Sequence, residues 1–228
     1  MAIVNGWIDW AERRDGHPLK VYTQKNSGEW ITCHSIVGNL PNHAIPLRFL
    51  SDARNTDGSF TANAAASVMF ILYKDGHLVQ MYPVTESTWT SGGREANTRS
   101  WAIEAEGGYS PQDEPLTPEA SQSFVRLIRE WESYTGRKAV PNETLLEHRD
   151  VALQFAYSPT ACASGRYKEA WELCLQSSEE DMYKEKYEEL EAAAAKRFAL
   201  IQLASDLNKY QEMLKLYDLA IANGLLSV

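Results

Sequence analysis

A histidine and a cysteine stand fourteen positions apart in Leu146-Glu147-His148-Arg149-Asp150-Val151 and Ser158-Pro159-Thr160-Ala161-Cys162. Imidazole nitrogen and thiolate sulfur are the ligands that borderline-soft Zn2+ prefers. Two side chains do not make a site, so a third is needed. The best candidate lies more than a hundred residues upstream, at His34 in Trp30-Ile31-Thr32-Cys33-His34-Ser35. Taken alone, a strand histidine is more often a satisfied core or surface residue than a ligand. The elements that would carry these three residues therefore decide how they are read.

Trp30 to His34 is a short β-type run in which alternate residues face opposite sides. His34 shares a face with Thr32, and Cys33 points the other way into the core. Lys20-Val21-Tyr22 predicts a short strand within a polar N-terminal segment, residues 1–29, anchored by Trp7 and Trp10. Ala44 to Leu50 reads as a short helix or turn, and Ser51 to Asn63 as an exposed loop. Ser67 to Tyr73 and His77 to Tyr82 flank Lys74-Asp75-Gly76, a strong hairpin signal. The first of these strands is nearly all apolar and is expected at the centre of a sheet. Ser91 to Asn97 is a loop, and Ser100 to Gly107 is a further strand. Thr117 is a good N-cap before Pro118. Phe124, Leu127, Ile128 and Trp131 then form one apolar helix face, which Gly136 ends. Arg166 to Leu175 predicts another helix, with Tyr167, Ala170, Trp171 and Cys174 on one stripe.

Beyond Gln176 the chain is dense in Glu, Lys and Ala. Two out-of-phase apolar stripes, broken at Ser205-Asp206, predict a helical hairpin ending at Gly224. Two helices are too small for an independent core, so this region is expected either to dock on the first domain or to self-associate. The division is thus 1–176 and 177–228.

The 228 residues carry a formal net charge of −9, which argues against a nucleic-acid partner and gives no bulk attraction to an anionic membrane. No stretch approaches the roughly 20 apolar residues of a membrane span. Residues 1–10 lack the basic start and apolar run of a secretory signal, so the expected place of synthesis and folding is a cytoplasm. Three cysteines build no disulfide framework. Cys33 and Cys174 are expected as buried thiols. His17, His43 and His77 are expected at exposed loop or turn positions, with His43 a candidate for the rim of a groove.

The ordered set resembles the zinc-dependent N-acetylmuramoyl-L-alanine amidases that share a fold with peptidoglycan recognition proteins. The residues that carry the resemblance are Ile31-Thr32-Cys33-His34-Ser35, Met69-Phe70-Ile71-Leu72 with Lys74-Asp75-Gly76, Ser100-Trp101-Ala102-Ile103-Glu104-Ala105-Glu106-Gly107, His148-Arg149-Asp150-Val151 and Thr160-Ala161-Cys162. It spans roughly residues 25–170. Trp10-Ala11-Glu12 and Cys33-His34-Ser35 are similar, more narrowly, to endolysins of phages infecting actinobacteria.

The resemblance implies an α/β fold, with a central mixed sheet flanked by helices and a small C-terminal helical hairpin. It implies one Zn2+ held by His34, His148 and Cys162, with the fourth position left for water. The substrate would be bacterial peptidoglycan, cut at the amide between N-acetylmuramic acid and L-alanine during cell-wall degradation and host lysis. Glu104 would be the general base, with Glu106 on the same strand face as the alternative. Thr160 would stabilise the tetrahedral intermediate, and Trp89, Asn97 and Tyr157 would contact substrate. The C-terminal helices would bind the wall or form a homo-oligomer. A cytosolic amidase that trims recycled muropeptides and a recognition module that binds without cutting are the competing readings.

Several departures from the family pattern bear on this. Val68 stands where some members have a catalytic tyrosine. Trp89-Thr90-Ser91-Gly92 replaces a common Trp-His-Ala-Gly. The span from His148 to Cys162 is longer than usual, with Leu153 to Tyr157 inserted, which leaves Asp150 as the alternative third ligand.

Overall fold

The computed structural model describes residues 3–50, 66–108 and 114–176, with residues 207, 209–216, 218–219 and 222 near the C-terminus. The chain divides into two compact units, Met1–Gln176 and Ser177–Val228. In the second unit the described residues are helical and exposed. The expected stripe from Tyr183 to Ile201, the break at Ser205-Asp206 and the cap at Gly224 lie outside the described residues, as does the expected loop from Ser51 to Asn63. No helix among the described residues is long and apolar enough to cross a membrane.

The first unit is built on a mixed α/β frame. In chain order its strands are β1 (Ile3–Val4), β2 (Trp7–Ile8), β3 (Glu12–Arg13), β4 (Val21–Tyr22), β5 (Trp30–Val37), β6 (Phe70–Leu72), β7 (Leu78–Gln80), β8 (Ser87–Thr88), β9 (Ser100–Gly107) and β10 (Leu145–Glu147). Its helices are α1 (Leu47–Leu50), α2 (Arg94–Asn97), α3 (Pro118–Thr135) and α4 (His148–Gln154), and residues 168–176 are also helical.

Six strands form the central sheet in the order β10-β5-β9-β6-β7-β3. The first four run parallel, β7 is antiparallel to β6, and β3 is parallel to β7. At its heart β5 and β9 pair over eight positions, from Trp30 opposite Ser100 to Val37 opposite Gly107. All eight residues of β9 are buried, as expected for a parallel strand covered on both faces.

One face of the sheet, with Cys33, Ile103, Ala105 and Leu72, packs on Phe124, Leu127, Ile128 and Trp131 of α3 and on Tyr167, Ala170 and Trp171. The opposite face carries Ile36, Ile71, Val79 and Ala102 against Phe49, Val68 and Tyr82. By strand alternation His34 and Glu104 belong to this second face. The ends of α3 follow its sequence. Thr117 Oγ1 accepts from Ala120 N–H at 3.2 Å, and Gly136 closes the helix with φ 69° and an N–H bond to Glu132.

The N-terminal segment is more ordered than its polarity suggests. Asn5 and Gly6 have φ of 52° and 82°, the paired positive angles of a tight hairpin turn, and they join β1 to β2. The Gln80 side chain then bonds Ile8 N–H and the Gly6 carbonyl, both at 2.8 Å. This holds the segment beside β7, and β3 extends the sheet. The apolar run from Ser67 to Tyr73 contributes only Phe70–Leu72 to the sheet. Ser67 instead bonds Trp89, through its N–H at 3.2 Å and its hydroxyl at 2.8 Å. The stretch expected as a loop at Ser91–Asn97 contains α2.

Candidate functional site

The parallel ladder brings the two histidines together. Strand β10 lies beside β5 with Glu147 opposite Cys33, so the next residue, His148, begins α4 next to His34. Their rings lie 4.5 Å apart between centroids. Glu147 and Asp150 form a reciprocal capping box at the start of α4. In this cap Asp150 Oδ2 accepts from Glu147 N–H at 3.0 Å, the position of a structural carboxylate at the helix start.

Cys162 returns from the far side of α4. Its carbonyl accepts from Arg149 N–H at 2.7 Å, and its Sγ accepts from Ser35 N–H at 3.2 Å. Sγ is 4.0 Å from His34 Nδ1. Ligand atoms of His34, His148 and Cys162 all lie within 4.8 Å of one another. The long span between His148 and Cys162 does not disturb them. Part of it is taken up by α4 itself. Phe155 stacks on Trp30 at 5.8 Å and Tyr157 on Phe155 at 5.6 Å, and Tyr157 N–H bonds the Ala152 carbonyl at 2.8 Å.

The donor set fits zinc by chemistry and by spacing. Burial, then the neighbouring His148 and Arg48, hold His34 well below the usual histidine range. Burial also lowers His148. Both rings are thus favoured in the neutral form that ligates metal. Burial, and then the Glu104 charge, push the Cys162 thiol up to about 12, against the Ser35 N–H. Metal binding deprotonates such a thiol. The separations are close to what one ion bonded at about 2.0–2.3 Å requires.

Glu104 is the register partner of His34 on β9 and is 8% exposed. Its Oε1 is 4.0 Å from the Arg48 guanidinium of α1, and its Oε2 has no hydrogen-bond partner among the described residues. Burial raises its carboxyl to about 7, with Arg48 pulling the other way. Glu106 differs although it shares the strand face. Its Oε1 accepts from Leu40 N–H and its Oε2 from Lys74 N–H at 3.0 Å, so both oxygens are used to hold loops.

The other expected site residues fall into two groups. Thr160 is half-buried beside the cysteine, its Oγ1 accepting from Cys162 N–H at 3.2 Å. The half-buried Tyr157 ring covers Gly93 so closely that a Cβ there would meet its Cζ at 2.1 Å. Trp89 packs against Tyr22 at 6.0 Å. Asn97 is buried, and its Oδ1 accepts from Thr90 N–H at 3.2 Å and Ser91 N–H at 2.7 Å. That places its amide under the loop rather than on an open groove. His43 stacks on His77 at 4.1 Å and bonds Asp75, while His77 bonds Glu12. These two rings tie the 41–43 turn, the hairpin and β3 together.

Four neighbours of the site were not singled out from sequence. Arg48 faces Glu104. Ser91 Oγ lies 3.3 Å from His34 Nε2. Tyr167 OH donates to the His34 carbonyl at 2.7 Å. Arg166, 3% exposed, donates to Ser35 Oγ at 3.1 Å and to the Ala105, Glu106 and Glu114 carbonyls. Ser91 left a sequence trace in the Trp89-Thr90-Ser91-Gly92 departure, and Arg166 and Tyr167 only as part of a predicted helix.

The sequence model of the family described as N-acetylmuramoyl-L-alanine amidase matches residues 24–164, a span that contains all three candidate ligands and Glu104. The chain belongs to this amidase family. It is an enzyme of the N-acetylmuramoyl-L-alanine amidase class, and its substrate is peptidoglycan. The chain is also similar to several solved structures. The amidase LysC from Clostridium intestinale is 18% identical with a TM-score of 0.47, over 67% of this chain and 87% of its own. A selenomethionine derivative of AmpD is 20% identical with a TM-score of 0.49, over 65% and 86%. A mutant endolysin from Bacillus subtilis is 14% identical with a TM-score of 0.46, over 72% and 95%. No curated protein sequence matches the chain.

Proposed function

We propose that this amidase is a zinc-dependent enzyme of the phage endolysin type, held in the host cytoplasm and then released onto the cell wall to lyse the host. The observation that carries the zinc reading is the convergence of His34, His148 and Cys162 within 4.8 Å, beside a buried carboxyl with one oxygen unpartnered among the described residues. A zinc held by these three residues supplies Lewis acidity for the scissile carbonyl and makes a bound water acidic near neutrality.

The chain's own residues do the rest. Glu104, with its carboxyl near 7, takes a proton from the attacking water through Oε2 and returns it to the departing alanine nitrogen. Water oxygen bonds the lactyl carbonyl carbon, the C–N bond breaks, and the stem peptide leaves with a free amino group on its L-alanine. Thr160 accepts from Cys162 N–H, which leaves its own hydroxyl proton free to donate to the developing oxyanion. Trp89 and Tyr157 contact the substrate from the 89–93 loop and the turn after α4.

The unit Ser177–Val228 supports the lysin reading over the recycling one. An enzyme of soluble fragments needs no anchoring unit, whereas one acting on an intact wall uses it for wall binding or for homo-oligomer formation. The test is to measure zinc in the purified protein and incubate it with actinobacterial cell walls. New alanine amino groups without new reducing ends, abolished by a chelator, are the expected result. Zinc-loaded protein that releases none from several wall types would instead indicate a binding module. Activity confined to soluble muropeptides would indicate recycling.

A further inference from the structure

Ser91 is fully buried and has no part in the proton transfers above, yet it is the hydroxyl that meets the first ligand. Its Oγ is 3.3 Å from Nε2 of His34, while Nδ1 of the same ring faces Cys162 Sγ at 4.0 Å. A neutral imidazole carries one N–H and one lone pair, and which nitrogen ligates a metal is set by the bond the other makes. The position of Ser91 is itself fixed. Its N–H donates to Asn97 Oδ1 at 2.7 Å, and the same oxygen takes Thr90 N–H at 3.2 Å. Asn97 ends α2 and is 3% exposed, so the hydroxyl is carried on a braced loop rather than a mobile side chain.

We infer that Ser91 is a positioning residue that accepts the Nε2–H of His34, fixing the tautomer that presents the Nδ1 lone pair to the metal. Asn97, expected from sequence as a substrate contact, serves this brace. The inference rests on the zinc reading above. It adds to that reading a hydroxyl at a position where the related pattern Trp-His-Ala-Gly has only a methyl.

The test uses the full chain with histidine labelled by nitrogen-15. In the metal-free wild type the ring-nitrogen shifts of His34 should show the proton on Nε2, and in Ser91→Ala they should show mixed tautomers. Zinc affinity, read by competition with a chromophoric chelator, should fall roughly 10–100-fold in Ser91→Ala, the usual loss for an outer partner of a metal-bound histidine. A wild-type His34 protonated on Nδ1 overturns the inference without needing any variant. A wild type that binds zinc alongside a Ser91→Ala protein of equal affinity overturns the role of Ser91 and leaves the zinc reading standing. A wild type that binds no zinc overturns both.

Discussion

His34 and Glu104 are cross-strand partners in the parallel ladder of β5 and β9, so one backbone pairing sets a candidate ligand and a candidate base on the same face of the sheet. Because their spacing is held by ladder hydrogen bonds rather than by a loop, the base can be removed without moving the ligand. Glu104→Gln is expected to retain bound zinc and to lower the rate of alanine amino-group release by roughly 10²–10⁴. Metal content and turnover measured on the same preparation check both halves, and loss of zinc would place Glu104 in the metal site instead.

The Glu104 carboxyl also predicts how the metal-free protein responds to pH. Burial raises its pKa from the ordinary carboxylate value of about 4.5 to about 7. Between those values the folded chain holds a proton that the unfolded chain has released. Stability is therefore fully present below about 4.5 and is lost as pH rises through about 7. At about 1.36 kcal/mol per unit, the loss is at most about 3 kcal/mol. Denaturant titrations at several pH values should show this slope in the wild type and a flatter one in Glu104→Gln.

Cys162→Ser should lose zinc, since a hydroxyl is a far poorer ligand than a thiolate, and with it activity. The measurement is metal content after dialysis against a weak chelator. Full activity in this variant would remove Cys162 from the ligand set.

Glu106 should behave as a structural residue. Both its oxygens accept backbone N–H groups, from Leu40 and Lys74, and Glu106→Ala leaves those donors without their acceptor. A loss of about 1–3 kcal/mol is expected, read by denaturant unfolding, while turnover per folded molecule with soluble muropeptide stays near wild type.

Gly93→Ala should disturb the turn after α4, because a Cβ would come within 2.1–2.6 Å of the Tyr157 ring. Displacing that ring is expected to raise KM for wall fragments more than it lowers kcat, with zinc content unchanged. Steady-state kinetics separates the two.

Much of the frame was legible because it is written in local pattern. Thr117, Pro118 and Gly136 bracket α3 as their capping chemistry demands, and the alternation that sends Cys33 to the core sends His34 to the opposite face. The Asn5-Gly6 turn carried the same kind of local signal within a segment whose polarity hid it. The apolar run from Ser67 overstates the strand, because apolar composition reports burial, whereas ladder membership depends on which neighbour takes each N–H. Ser67 gives its N–H to Trp89.

The sequence by itself determined the chemistry available: two imidazoles and a thiol of zinc-binding type, a strand with two glutamates, and the order of elements that carries them. The tertiary structure decided which groups are free to act. Glu104 and Glu106 are indistinguishable by strand position, and they separate only because loops at Leu40 and Lys74 claim the second. Asp150 and Cys162 both stand open from sequence as third ligand; in the fold the Asp150 carboxylate sits in the capping box at the start of α4, whereas Cys162 Sγ lies within 4.8 Å of ligand atoms of both histidines. The pairings of Ser91 with His34 and of Arg48 with Glu104, 57 and 56 positions apart, arise only on folding. Side-chain periodicity records which face a residue presents, but hydrogen-bond partners far apart in sequence are chosen by packing.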